Sequence, residues 1–165
     1  RPSPRFRFAV PSPQYLDDSP AMPSDSASTP AKAPWFQDGL RFTCTECGDC
    51  CTGAPGYVWV SDDEIEALAR RLSLSVEAFQ RQYVRQVGRK KSLIEYEGGD
   101  CCFLVDRKCT VYDDRPVQCR TWPFWESNLR SKSAWKQTCE ACPGAGQGDL
   151  VPLDQIVSQM KQRRV

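Results

Sequence analysis

Cys44, Cys47, Cys50 and Cys51 crowd four thiols into eight residues, Cys-Thr-Glu-Cys-Gly-Asp-Cys-Cys. Thiolates are soft ligands, and a loop that repeats them this closely suits an iron–sulfur centre or a zinc ion. The first three follow the C-x2-C-x2-C rhythm that wraps a loop around one iron–sulfur cluster, whereas Cys51, directly beside Cys50, does not share that geometry easily. In two-cluster ferredoxins a distant cysteine followed by proline completes such a loop, and Cys142-Pro143 has that local form. Zinc is open to the same residues, because Cys44-x2-Cys47 and Cys139-x2-Cys142 are two knuckles of the kind that together close a tetrahedron. The two arrangements compete for the same thiols, so at most one holds as drawn.

The remaining cysteines form a middle set, Cys101, Cys102, Cys109 and Cys119. With 10 Cys and no His in 165 residues, histidine-based triads, histidine general bases and mixed-ligand zinc fingers are excluded. An even number of cysteines also admits disulfides. Adjacent or C-x2-C pairs, however, would cross-link little of the unfolded chain and stabilise it poorly, while they suit a common metal well. Redox-active dithiols lack the thioredoxin-like βαβ pattern that would support them. Arg115 and Arg120 flank Cys119, where a guanidinium would lower a thiol pKa and offset the charge of a cluster. The competing role for these arginines is a surface pair with Asp113 or Asp114. Trp122, Phe124 and Trp125 could shield a metal site from water, or could simply be core.

The elements that must position these thiols are short. Residues 1–34 hold eight prolines among many serines and no apolar period, so they cannot bury enough surface to offset ordering, and a disordered segment is expected. Arg1, Arg5 and Arg7 precede the first acid, Asp17, a bias similar to that of a plastid or mitochondrial transit segment. Without such a role the chain reads as cytoplasmic. The folded part is expected over 35–165, a cysteine-cluster domain of α+β class: a β-hairpin or meander, two or more short helices and long loops stapled by metal. Ser61-Asp62-Asp63-Glu64 has the form of a capping box opening a helix with Ile65, Leu68 and Leu72 on one face. A second helix starts near Ser75 and presents Val76, Phe79, Tyr83 and Val84. Leu93–Tyr96 and Cys102–Val105 flank Gly98-Gly99 as a hairpin with a primed turn, and Cys109–Tyr112 adds a strand. Pro116 is set for a first helical turn that Pro123 closes. Pro143–Gly148 reads as a flexible loop and Leu153–Lys161 as a terminal helix. Lys+Arg of 22 against Asp+Glu of 21 gives no global pull towards nucleic acid or an anionic membrane, and Arg89-Lys90-Lys91 is most simply a solvated face. No apolar run approaches the length of a bilayer span.

Taken in order, these motifs resemble the CxxCxxCC family, a zinc- or iron-chelating domain. The matching pieces are Cys44-x2-Cys47-Gly48-x-Cys50-Cys51 and Cys101-x-Phe103-Leu104, then Cys109-Thr110-Val111-Tyr112 with Arg115-Pro116-x2-Cys119-Arg120-x2-Pro123-Phe124, and finally Cys142-Pro143-Gly144. The likeness runs from about Phe42 to Gly148. It implies metal ligation by Cys44, Cys47, Cys50, Cys51, Cys101, Cys109, Cys119 and Cys142, enough for two four-thiolate sites or for one site and spare ligands. Cys102 stands where the family often has proline, and Cys139 is additional. The metal-loaded form would hold an iron–sulfur cluster by preference, or zinc. Redox or metal-handling duty is the leading expectation, with two alternatives. One is a structural zinc module for partner interaction; the other is an iron–sulfur-dependent enzyme subunit, since the family's relatives include flagellin lysine methylases. This chain shows no separate cofactor-binding segment for methylation.

Overall fold

Ser61-Asp62-Asp63-Glu64 forms the reciprocal cap its pattern predicts: in the computed structural model the Ser61 hydroxyl accepts from Glu64 N–H and Glu64 accepts from Ser61 N–H. The structure describes residues 33–162, so the expectation for 1–34 lies outside the described residues save Ala33 and Pro34. In chain order the elements are β1 (Leu40–Phe42), β2 (Val58–Val60), α1 (Asp62–Arg71), α2 (Val76–Tyr83), β3 (Val84–Val87), β4 (Lys90–Leu93), β5 (Leu104–Val105) and β6 (Lys108–Cys109). They continue with α3 (Val117–Arg120), α4 (Glu126–Leu129), α5 (Lys132–Ala141), β7 (Ala145–Val151) and α6 (Leu153–Gln162). This is the α+β class expected, with every described strand pair antiparallel.

Two hydrophobic clusters organise it. In the first, Ile65, Leu68 and Ala69 of α1 and Phe79 of α2 pack on Val60, Leu93, Cys102, Phe103 and Val111, over a sheet of order β2-β4-β3. Gln118 of α3 closes the β2 edge of that sheet: its side-chain amide accepts from Trp59 N–H at 3.1 Å and donates to the Tyr57 carbonyl at 2.7 Å. An unpaired strand edge is thus satisfied by one side chain from the segment that carries Cys119. In the second cluster, Phe36, Phe124, Leu129, Trp135, Cys142, Ala145 and Ile156 pack together, and β1 pairs with β7.

Several local expectations are corrected. Val84 leaves the second helix at φ −122°, ψ 134°, and a hairpin forms between β3 and β4 around Gly88, whose φ is 59°. Around Gly98-Gly99 the chain does reverse, but only an isolated antiparallel bridge, Glu95 to Cys101, forms in place of two strands. The reason is packing: Gly99, at φ 86°, lies with its backbone against Gly53, so the turn receives the cysteine loop instead of continuing a ladder. Of the strand expected at Cys109–Tyr112 only Cys109 pairs, and Tyr112–Asp114 coils into a 3-10 turn. Pro116 sits just before α3 as its cap. Residues 145–148, expected as flexible loop, belong to β7: Ala145 pairs with Phe42, and the register shifts between Phe42 and Arg41 before Leu150 and Val151 pair with Arg41 and Leu40. Among the described residues no helix is long and apolar enough to cross a membrane.

Candidate metal centre

Four segments bring thiols together. The first leaves β1 at Phe42, passes Cys44 and Cys47, and enters a 3-10 turn, Asp49–Cys51, through buried Gly48 at φ 79°. A Cβ on Gly48 would stand 2.5 Å from the Arg107 carbonyl oxygen, so only glycine lets this loop lie against the turn between β5 and β6. Arg107 secures the contact by donating to the Asp49 carboxylate. The second segment supplies Cys101, whose N–H donates to the Cys51 carbonyl at 2.7 Å, while the Thr52 hydroxyl donates to Asp100. The third runs from Cys109 at the end of β6 through the Tyr112–Asp114 turn to Cys119 on α3. Arg71 of α1 holds that turn, 2.6 Å from Asp114. The fourth is the end of α5, where Cys142 is the C-cap residue and donates to the Thr138 carbonyl at 2.9 Å.

Six of these thiols, Cys44, Cys47, Cys50, Cys51, Cys109 and Cys142, line one small cleft of about 30 Å³, walled by Phe42, Tyr112, Arg115 and Trp122. All ten cysteines are free, and Cys50 Sγ lies 3.9 Å from Cys51 Sγ. Sulfurs bound tetrahedrally at about 2.3 Å from one ion stand roughly 3.8 Å apart, so this one pair, here hydrogen-bonded, has a spacing that an ion could also bridge. Among the described residues, though, no three Cys, Asp or Glu side chains converge as a finished ion site. Cys101 and Cys119 stand outside the cleft's lining but within electrostatic reach: Cys119 feels charge on Cys101, Cys50 and Cys109. Cys102 is core, 6% exposed, and hydrogen-bonds Cys101. Cys139 does not line the cleft and packs with the second cluster near Gly146.

The thiols divide into donors and acceptors. Cys51 hydrogen-bonds Cys50 and Cys109 and, as the thiol of the three that keeps its single proton, shares it with them; that sharing is the main cause that holds Cys109 at about 6 and Cys50 at about 7, with Arg115 assisting both. Cys51 is itself pushed far up, first by its hydrogen bond with Cys109, then by that with Cys50 and by burial. Cys101 is lowered by its hydrogen bond from Cys102, which is raised in return. Burial pushes Cys119 up, and Arg115 opposes it.

Arg115 therefore serves three thiols rather than Cys119 alone. Its guanidinium lies 3.4 Å over the Tyr112 ring and donates to the Tyr112 carbonyl, while Asp113 and Asp114 pair with Arg71. Of the aromatics expected to shield or to pack, Phe124 is core, 1% exposed, whereas Trp122 is a wall of the cleft. Tyr112 was not among the residues expected at the site; its hydroxyl contacts Cys44, and this hydrogen bond raises its pKa. Its sequence signal was its place at the end of the Cys109-Thr110-Val111-Tyr112 piece.

Residues 43–143 match the CxxCxxCC family, described as "Putative zinc- or iron-chelating domain". The chain is also 30% identical over 91 residues to Uncharacterized protein MJ0661 of Methanocaldococcus jannaschii, a stretch covering 54% of this chain and 48% of that protein. It thus spans about half the length of that relative. No solved structure matches.

Proposed function

We propose a function on two grounds: the chain belongs to the CxxCxxCC family, and thiols from separate segments share one cleft. Family membership supports binding of zinc or iron. The finer reading is an iron–sulfur centre with redox or metal-handling duty, held by Cys44, Cys47, Cys50 and Cys142. Cys51, Cys101, Cys109 and Cys119 make a second thiolate set that meets the first at Cys50 and Cys51.

One observation carries this choice. Cys142 lines the same cleft as the C-x2-C-x2-C loop, whereas Cys139, which a pair of zinc knuckles would need, does not. The site suits such a group chemically. Its donors are sulfur, its walls include Phe42 and Trp122, and the Arg115 cation faces thiolates whose negative charge a four-thiolate centre would retain. When bound, an iron–sulfur centre supplies one-electron chemistry at a potential set by charge, hydrogen bonds and exposure. The protein's own part is to converge and deprotonate the thiols and to limit water. The small volume of the cleft, about 30 Å³, favours a second reading, a single zinc ion in a structural module.

Anaerobic purification with elemental analysis and a visible spectrum separates these. Iron with inorganic sulfide and an absorption that bleaches on reduction is the expected result; colourless stoichiometric zinc would select the second reading. Cys142→Ser should lose bound metal and Cys139→Ser should keep it. Equal loss from both would restore the knuckle pair.

A further inference from the structure

We propose that the indole N–H of Trp122 is a hydrogen-bond donor to metal-bound sulfur in the cleft, a role resting on the function proposed above. Trp122 Nε1 is buried and has no partner among the described residues. A buried donor left unpaired forfeits its hydration with no return, which is why such groups are rare and call for a reason. Neighbouring indoles do not share this condition. Trp35 donates to the Leu129 carbonyl at 2.7 Å and Trp125 to the Gln118 carbonyl at 3.1 Å.

What sets Trp122 apart is its place. It stands in the wall of the cleft that Cys44, Cys47, Cys50, Cys51, Cys109 and Cys142 line. Its ring is fixed edge-on against Trp125, with centroids 4.8 Å apart at 82°. The acceptors the cleft offers are chiefly sulfurs, six thiols beside the side-chain oxygens of Thr45, Glu46 and Tyr112. A neutral thiol is a weak acceptor, but a thiolate drawn onto a metal keeps negative charge and accepts well. The unpaired N–H and the thiol lining are thus complementary once the sulfurs are deprotonated. Donation would withdraw charge from the sulfur, stabilising an anionic centre in the way that hydrogen bonds around metal sites do. Trp122 is in this sense a positioning and tuning residue, not a ligand.

The test uses the full chain with 15N-labelled tryptophan, compared metal-free and loaded with 113Cd as a diamagnetic thiolate-bound probe. The Trp122 indole resonance is identified by its loss in Trp122→Phe. Loading should move its proton downfield, slow its exchange with solvent, and produce a scalar coupling to 113Cd across the hydrogen bond. Trp122→Phe, which keeps a ring in the wall, should bind the same number of metal ions with affinity lower by about tenfold. If iron–sulfur is present, its reduction potential should fall, since a lost donor disfavours the more negative reduced state. A protein that takes up cadmium while this resonance stays unmoved overturns the assignment of Trp122 and leaves metal binding standing. A protein that takes up no metal overturns both.

Discussion

Gly48→Ala tests whether the cysteine loop must lie flush against the β5–β6 turn. Two costs fall on this substitution. The first is conformational: an L-residue held at φ 79° costs about 1–2 kcal/mol. The second is steric: the new methyl would stand 2.5 Å from the Arg107 carbonyl oxygen and 3.0 Å from Leu104 Cδ1. The first of these neighbours is backbone in a tight turn, where Asp106 and Arg107 have φ of 48° and 59°, so it cannot swing aside as a side-chain tip could. Overpacking of this kind costs about 1–3 kcal/mol, and the sum, about 2–5 kcal/mol, is a large share of a typical domain's stability. Gly98→Ala is the matched control. It shares the strain, with φ 97°, but its Cβ meets nothing within 4 Å. Urea unfolding of the metal-free proteins should place Gly48→Ala below Gly98→Ala by about 1–3 kcal/mol, a midpoint gap on the order of 1 M at the slopes usual for small domains. If the loop relieves the clash by lifting away, Cys47 and Cys50 part from Cys109. Competition against a chelator should then show a metal affinity reduced by about tenfold for each 1.4 kcal/mol spent on closing the loop. Equal midpoints and equal affinities for the two variants would refute the argument that this contact builds the site.

The hydrogen bonds from Cys51 predict a pH signature in the metal-free chain. Alkylation followed by mass spectrometry should show Cys109 and Cys50 becoming reactive as pH rises through about 6 and about 7, well below an ordinary thiol. Cys51→Ala should move both midpoints up, and unmoved midpoints would reject the donor role. Because these two values are depressed on folding, their stabilisation is present in full above the unfolded thiol pKa and is lost as pH falls through 7 and then 6. Cys51, Cys102 and Cys119, whose pKa values are raised, act oppositely: their stabilisation is lost as pH climbs above the ordinary thiol value, so thermal stability should peak near that ordinary thiol value. Glu64→Ala is the remaining case. Glu64 accepts from Ser61 N–H at 2.8 Å and from Val117 N–H at 2.6 Å, and it thereby ties the start of α1 to the start of α3. Losing a cap costs about 1 kcal/mol and stranding a part-buried N–H about 1–3 kcal/mol. Equilibrium unfolding should register about 2–4 kcal/mol; a loss no larger than a cap alone would refute the second bond.

What the sequence disclosed followed from whether the determining interaction is local. The Ser61 cap and the helix it opens depend on residues three apart, and both are present as expected. The second helix begins at its Ser75 cap for the same reason, yet it stops at Tyr83, because Val84 finds Leu93 across a hairpin. That pairing is not visible from Val84's own neighbours. Gly98-Gly99 and Gly88 offer equally plain turn signals, and the difference lies in what packs on them: Gly99 meets the backbone of Gly53, while Gly88 has open space beside it. The strand over residues 145–151 was illegible because its partner, β1, lies more than a hundred residues earlier. The cysteines were legible as a set through their spacing. Their division was not: whether Cys139 or Cys142 faces the loop depends on which side of the end of α5 meets the second cluster. A helix end carrying both thiols offers either face.

The same division says what a bound metal would add to this fold. The first cluster is built mainly from Val60 to Val111 and the second from Phe36 with Phe124 to Ile156, so the chain divides its apolar residues between two modest cores. Cores of this size contribute little stability each, since burial grows with volume. The thiol cleft takes its residues from both. Cys109 packs against the first cluster, whereas Cys142 belongs to the second, and Phe42 and Trp122 pack against it. An ion or cluster bound by thiolates from both sides would therefore link two cores that local packing stabilises separately, and the binding energy would become folding energy. Thiols alone cannot do this, since S–H is a weak donor and the sulfurs must share protons to lie together. A cation that replaced the protons shared among Cys50, Cys51 and Cys109 would relieve that competition at the same place where it joins the cores.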